Sequence, residues 1–339
     1  LYLNKAAYAQ IKNNNGSLQR VAVVSEGNTY VDNVRFRNAI EKAVAEGGTG
    51  ATENFAIINP ATDVVYGAGD SAKVQVKAVN VVDPIVVSTN TGITATATLK
   101  AGTADVYEAV LANLTINDTK ITATAGDLSD ETYISVLHLT QWDQLNFEGL
   151  EAGDRMDVQN FWGPITIPAV ANVDAAHGTS LNPSTEVVFN AKGLNGAGEF
   201  ISEFDYYLPT GGSLTVSLYT NNGTYERDIV INASTVTALY YDEATQASAT
   251  ERVAYTQATD AWHKLKFVTH LGEKTKSVYI DDECVINRLP YTSKVWPIIG
   301  TYSLQRISVL GGGNTCVDNA NFRFHATAAT TTQMKLVKG

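Results

Sequence analysis

The feature that most constrains this chain is a segment that occurs twice. Ser303 to Phe324 reads SLQRISVLGGGNTCVDNANFRF, and Ser17 to Asn38 reads SLQRVAVVSEGNTYVDNVRFRN, an offset of 286 residues. Thirteen of the twenty-one pairs from Ser17/Ser303 to Arg37/Arg323 are identical. Each copy sets two runs of β-prone residues around a Gly-Asn turn, so each is expected to form a β-hairpin. A two-stranded ribbon has too little apolar face to stand alone in water, so each hairpin should close a larger sheet. The second copy follows more than a hundred strand-like residues, whereas only Leu1 to Gly16 precede the first. Residues 1–38 are therefore expected to be the terminal hairpin of a preceding unit in a longer modular protein, with a repeat about one such period long. The alternative is an extra hairpin docked on its neighbour.

A chain of 339 residues can hold two or three domains, each burying its own core. Charged residues are only 17%, and Thr, Ala, Val, Asn, Gly and Tyr carry the sequence, a mix that favours sheet over helix. The formal charge of −11, without any basic run, argues against binding nucleic acid or an anionic membrane surface. No run reaches the length of a transmembrane helix, so no membrane insertion is expected in this segment. The expected setting is extracellular or at a cell surface. Cys284 and Cys316 are compatible with one disulfide or with none.

After the first hairpin, Asn38 to Ala45 has the makings of a short helix ended by Gly47 and Gly48, within a linker over 39–54. Residues 55–138 hold short alternating strands, among them AKVQVKAV, YEAVLANL and KITATAGD, separated by GAGDS, STNTG and NDT turns. That spacing suits a β-sandwich. The segment resembles the bacterial immunoglobulin-like domains of surface proteins, which implies a spacer. It lacks Trp and Cys, so its core must be Val, Ile, Leu and Ala. Its turn aspartates, Asp63, Asp83, Asp105, Asp127 and Asp130, are expected to cap backbone amides rather than hold calcium.

Residues 139–326 are nearly all strand-length segments, which suggests two packed antiparallel sheets, a jelly roll; 327–339 would link to a next module. Within them Trp262 to Ile286, WHKLKFVTHLGEKTKSVYIDDECVI, resembles the hairpin of concanavalin A-like and laminin G-like jelly rolls, "W-x-x-(apolar)-x-(apolar)" and then "Y-(V/I)-D-G". Phe147-Glu148-Gly149, His177-Gly178, Phe204 to Tyr207 and Val317-Asp318-Asn319 stand where such domains carry similar residues. Asp282 replaces the usual Gly of the turn, and Asp tolerates positive φ better than most residues. The fold expected is thus all-β: an immunoglobulin-like sandwich, then a concanavalin A-like jelly roll, with an N-terminal hairpin repeating the last one.

Three sites suggest themselves. On a strand, Glu203, Asp205 and Tyr207 share one face. Related jelly-roll glycosidases carry a Glu, Asp, Glu ladder there, since retaining hydrolysis needs two carboxylates; with Tyr207 in third place the ladder is incomplete. Asp318 stands among apolar alternates, Cys316, Ala320 and Phe322, which would place a charge on the inward face, where it needs a partner. Backbone amides would serve. So would a structural calcium, because the resemblance implies one tying Glu148 to Asp318, with backbone carbonyls completing its six to eight oxygens. Finally, Tyr207 and Trp296 are the foremost of many aromatics on which a sugar ring could stack. Neither histidine among His177 and His263 has metal-like spacing, and no phosphate loop, nucleophile elbow or Cys-x-x-Cys occurs.

The expectation is a non-catalytic extracellular protein, adhesive or structural, with a glycan site at Glu203, Asp205, Tyr207 and Trp296 and a possible calcium at Glu148 and Asp318. Its partners would be a glycan or a neighbouring surface protein. Two alternatives are a glycoside hydrolase or lyase acting on polysaccharide and a homopolymer in which residues 1–38 complete a neighbour's sheet.

Overall fold

A computed structural model describes residues 55–326 except 162, 196–197, 221–224, 243–244, 272, 274 and 292–302. The repeat copy at 1–38, the short helix, both linkers and Trp296 lie outside the described residues, which contain strands and no helix.

Residues from Phe55 to Leu137 build two sheets. Phe55–Asn59, Ala72–Ala78, Val106–Leu111 and Thr98–Leu99 form one, in that order; Val64–Gly67, Leu128–Leu137, Lys120–Ala125, Val86–Thr89 and Thr94–Thr96 form the other. Val64–Gly67 runs parallel to Leu128–Leu137, and the remaining pairs are antiparallel. Alternation along each strand turns Val74, Val76, Val87, Leu111, Ile121 and Ala123 into a shared core. Of the aspartates expected to cap turns, Asp130 instead lies on strand Leu128–Leu137 and accepts from Ile57 N (2.8 Å); in a turn, Asp70 Oδ2 accepts from Gly67 N (2.8 Å).

From Thr140 the chain forms a second, larger sandwich. Its eight-stranded sheet runs Val170–Asn172, Thr179–Leu181, Cys316–Ala326, Gly198–Leu208, Ala261–His270, Thr275–Ile280, Glu283–Pro290, with Thr140–Leu145 also paired to Cys316–Ala326. Facing it are Val187–Asn195, Ser303–Gly312, Ser213–Thr220, Tyr225–Asn232, Thr235–Asp242 and Ala247–Ala254. The chain crosses repeatedly between the two sheets, as a jelly roll does. Strand Gly198–Leu208 shows why it folds so: Phe200, Phe204, Tyr206 and Leu208 enter the core, and Glu199, Glu203, Asp205 and Tyr207 take the other face. Phe322 sits at the centre, its ring centroid 5.1 Å from Phe161, 5.8 Å from Phe189 and 5.7 Å from Phe204.

One expectation is corrected here, and one question left open by the sequence is answered. The segment Ser303 to Phe324 is not a hairpin. Ser303–Gly312 lies in the six-stranded sheet between Val187–Asn195 and Ser213–Thr220, while Cys316–Ala326 lies in the opposite sheet beside Gly198–Leu208. Gly313 (φ 64°) and Asn314 (φ 65°) carry the chain over from one to the other. A local strand–turn–strand pattern fits an arch between sheets as well as a hairpin within one, and here both strands have an apolar face to bury in the same core. Nor is there a disulfide: Cys284 and Cys316 are both free. Three strands separate theirs, which at about 4.8 Å per strand puts them far beyond bonding reach.

The two sandwiches share a buried face. Ile201, Val268 and Tyr279, all on the outer face of the eight-stranded sheet, belong to the apolar core of the first sandwich. Tyr279 Oη donates to Val65 O (2.7 Å) and accepts from Val65 N (3.1 Å). At the turn expected after Tyr279, Asp281 (φ 49°) and Asp282 (φ 65°) both adopt positive φ, and Lys73 N donates to Asp282 O (3.1 Å).

Candidate functional site

The outward face of Gly198–Leu208 decides what is available for chemistry. Cross-strand pairing sets Glu203 beside Lys266 and Asn321, Asp205 beside Lys264 and Asp318, and Tyr207 beside Trp262 and Cys316. This row is split in two by the first sandwich.

Glu203 falls in the covered half and is only 4% exposed. Arg323 Nη2 donates to Glu203 Oε1 (2.7 Å) and to Asp70 Oδ1 (2.9 Å), Lys266 Nζ donates to Asp70 Oδ2 (3.0 Å), and Asn321 Nδ2 donates to Glu203 Oε2 (2.8 Å). Burial pushes the Asp70 carboxyl up, but the Lys266 and Arg323 cations together outweigh it and hold it at about 2. Two carboxylates and two cations thus neutralise one another between the sandwiches, and Lys266 Nζ also lies 4.1 Å from the Tyr279 ring centroid. Glu203 serves the domain junction.

Asp205 and Tyr207 lie in the open half, where the Asp205 side chain is 29% exposed. Asn319 Nδ2 donates to Asp205 Oδ2 (2.8 Å). Over this half folds the loop that ends in His177-Gly178. Asp174 Oδ1 accepts from Ala176 N (3.0 Å) and His177 N (2.9 Å) and lies 3.1 Å from His177 Nδ1, which aims the imidazole across the sheet. The ring stacks on Trp262 at 3.7 Å and 14°, with its Nε2 3.8 Å from Asp205 Oδ2. Tyr207 meets the same indole at 5.7 Å. Trp262 Nε1 is buried and has no hydrogen-bond partner among the described residues.

Asp318 closes this corner, and its orientation corrects a further expectation. A bulge between the pairs Glu203/Asn321 and Asp205/Asp318, with Asn319 at φ 48°, adds one residue to the alternation. Val317, Ala320 and Phe322 therefore point into the core, while Cys316 and Asp318 share the outer face with Asp205. Asp318 is still only 3% exposed, and Oδ1 takes the Asn319 amide (2.8 Å). Burial raises its carboxyl above the usual range, and the negative charges of Asp205 and Glu148 add to the rise. Glu148 receives Thr179 N on both oxygens (3.2 Å each), and a Cβ at Gly178 would collide with its carboxylate. Among the described residues no group of three or more His, Cys, Asp or Glu is arranged to hold a metal ion.

Of the residues expected to bind glycan, Asp205 and Tyr207 come together, Glu203 is drawn away into the junction, and Trp296 lies outside the described residues. The corner adds Trp262, Asn319 and His177. His177-Gly178 stands out in the sequence only through the family resemblance, and Trp262 chiefly so. Strand alternation in WHKLKF also carried a signal, since burying Leu265 and Phe267 turns Trp262, Lys264 and Lys266 outward.

No family model matches the chain, and no curated protein does. Solved structures with a similar course of chain include the galectin LEC-6 of Caenorhabditis elegans (14% identity, 42% of this chain and 92% of that one, TM-score 0.29). Others are the carbohydrate binding module CBM66 from Bacillus subtilis (10%, 54% and 97%, 0.28) and the Trypanosoma rangeli sialidase (11%, 53% and 30%, 0.37). At TM-scores this low the likeness assigns neither family nor function.

Proposed function

We propose that the protein is a non-catalytic glycan-binding protein of extracellular type, and that the glycan sits in the open corner formed by Asp205, Tyr207, Trp262 and Asn319. One observation carries this reading: the half-buried Tyr207 ring and a hydrogen-bonded Asp205–Asn319 pair share the half of the outer sheet face that the first sandwich leaves free. Sugars are recognised by that combination, apolar ring faces against aromatics and hydroxyls against carboxylate and amide.

Support for a binding role over a hydrolytic one comes from Glu203, which is tied to Arg323 and so is unsuited to act with Asp205 as one of two working carboxylates. The rival reading, an enzyme acting on polysaccharide, has one observation in its favour: Asp318, next to Asp205, has a raised carboxyl, as a general acid does. Screening the full chain on a glycan array and by polysaccharide turnover separates the two. Binding lost in Asp205→Ala and Tyr207→Ala, with no turnover, is the expected result. Turnover abolished by Asp205→Asn and Asp318→Asn would establish the enzyme, and no binding to any glycan would end both readings.

The sheet order and the parallel pairing of Val64–Gly67 with Leu128–Leu137 support an immunoglobulin-like spacer for residues 55–138. A calcium at Glu148 and Asp318 remains part of the proposal; a rise in melting temperature on adding calcium, absent in Asp318→Asn, is its test. The homopolymer reading finds less support. A donated copy of Ser303 to Arg323 would have to enter the interior of both sheets at once rather than add to an edge.

A further inference from the structure

Resting on the glycan-binding reading, the boundaries of the corner narrow the class of ligand: we infer that it takes the terminal residue of a glycan and excludes the interior of a polysaccharide chain. A polymer bound through its interior must leave the site in two directions, so at least two sides of the face have to be open. Along the strands the way is shut within two residues of Asp205, because Glu203, Lys266 and Arg323 lie under the first sandwich, locked to Asp70. Across the strands on one side stands the turn Asp281-Asp282, with the first sandwich fastened to it by Lys73 N on Asp282 O and by Lys100 Nζ 3.8 Å from Glu283 Oε2. From the other side the Asp174–Gly178 loop reaches over Cys316–Ala326 and Gly198–Leu208 and seats His177 on Trp262, which covers that indole as well. What stays open is the end of the sheet beyond Tyr207. One sugar ring can stack there and hydrogen-bond Asp205 and Asn319, and the rest of the glycan leaves by the same side.

The walls are held by structure rather than by chance packing. Asp174 fastens the loop at three atoms, Gly178 takes φ 47° against the Glu148 carboxylate, and Glu148 in turn holds Thr179 N. The domain junction that closes the opposite side combines apolar burial at Ile201, Val268 and Tyr279 with a neutralised ion network.

The test uses the full chain and calorimetric titration. Graded malto-, cello- and N-acetylchito-oligosaccharides, from disaccharide to octasaccharide, are the probes, with cyclodextrin as an oligomer that has no end; if an array identifies another sugar, its graded oligomers join the set. Affinity for the recognised series is expected to stay flat within about twofold as the chain lengthens, with no binding of the cyclic oligomer. A rise of about tenfold or more from disaccharide to octasaccharide, or binding of the cyclic form as tight as the linear, would overturn the inference while leaving glycan binding intact. Should no sugar bind at all, the glycan reading itself fails, and this inference goes with it.

Discussion

Replacing Asp70 by Asn removes one negative charge from the junction while keeping the side chain's shape. Asp70 is held at about 2 instead of 3.8, a preference for the ionised form worth about 2 kcal/mol in the folded protein. The substitution also leaves Lys266, whose side chain is 5% exposed, without a carboxylate against it, beside a neutral amide and the rings of Tyr66 and Tyr279, while Arg323 keeps Glu203. Stranding one partner of a buried pair costs about 3–5 kcal/mol where no other counter-ion remains. Between these figures, Asp70→Asn should destabilise the protein by roughly 2–4 kcal/mol at neutral pH. Urea unfolding of the full chain reads this as a shift in midpoint. Removing the stranded cation as well, in Asp70→Asn with Lys266→Met, should recover most of the loss. The pH dependence has a fixed sign: a carboxyl depressed on folding contributes stability that is complete above 3.8 and disappears as pH falls through about 2. The advantage of the native protein over Asp70→Asn should shrink through that window. A difference under about 0.5 kcal/mol at neutral pH, or one that persists undiminished at the acid end, would refute the reasoning.

Other consequences concern the core and a second ion pair. Phe322→Ala empties the centre of the aromatic cluster and should cost about 3–5 kcal/mol by the same unfolding assay. Ser202 Oγ is buried without a partner among the described residues, so Ser202→Ala should be neutral or stabilising by up to about 1 kcal/mol, whereas a loss beyond that would show a bond yet to be identified. His263 sets both ring nitrogens against acceptors, Asp281 Oδ2 at 2.8 Å and Ala258 O at 2.9 Å, which calls for the imidazolium. Burial pulls its pKa down, yet Asp281 and the Ala258 carbonyl outweigh burial and raise it. Stability from this group is therefore complete below the ordinary 6.5 and lost as pH rises through the raised value, so the melting temperature should fall with rising pH in the native protein but not in His263→Gln.

Much of this molecule is legible from alternation. The outward set Glu203, Asp205, Tyr207 follows from strand period alone, and the all-β course follows from β-prone runs broken by turns. The turn after Tyr279 was also readable, since Asp282 does take the positive φ that the departure from Gly demanded. What escaped were relations between distant parts of the chain. Nothing local to Glu203 announces that Asp70 and Arg323 will neutralise it under another domain. The Gly-Asn turn at Gly313-Asn314 says that the chain reverses, but sheet membership depends on where Val187–Asn195 and Gly198–Leu208 lie. One bulged residue at Asn319 inverted the facing of Asp318, because a period of two has no tolerance for an insertion. Trp262 and His177 met only because a loop folds over a sheet.

The glycan site is tested most directly by crystallography of the full chain with the tightest sugar from the array. Density for a sugar ring against Tyr207, within hydrogen-bond reach of Asp205 and Asn319 and with its chain leaving past the end of the sheet, is the predicted result. A ring bound elsewhere with that corner unchanged would contradict it.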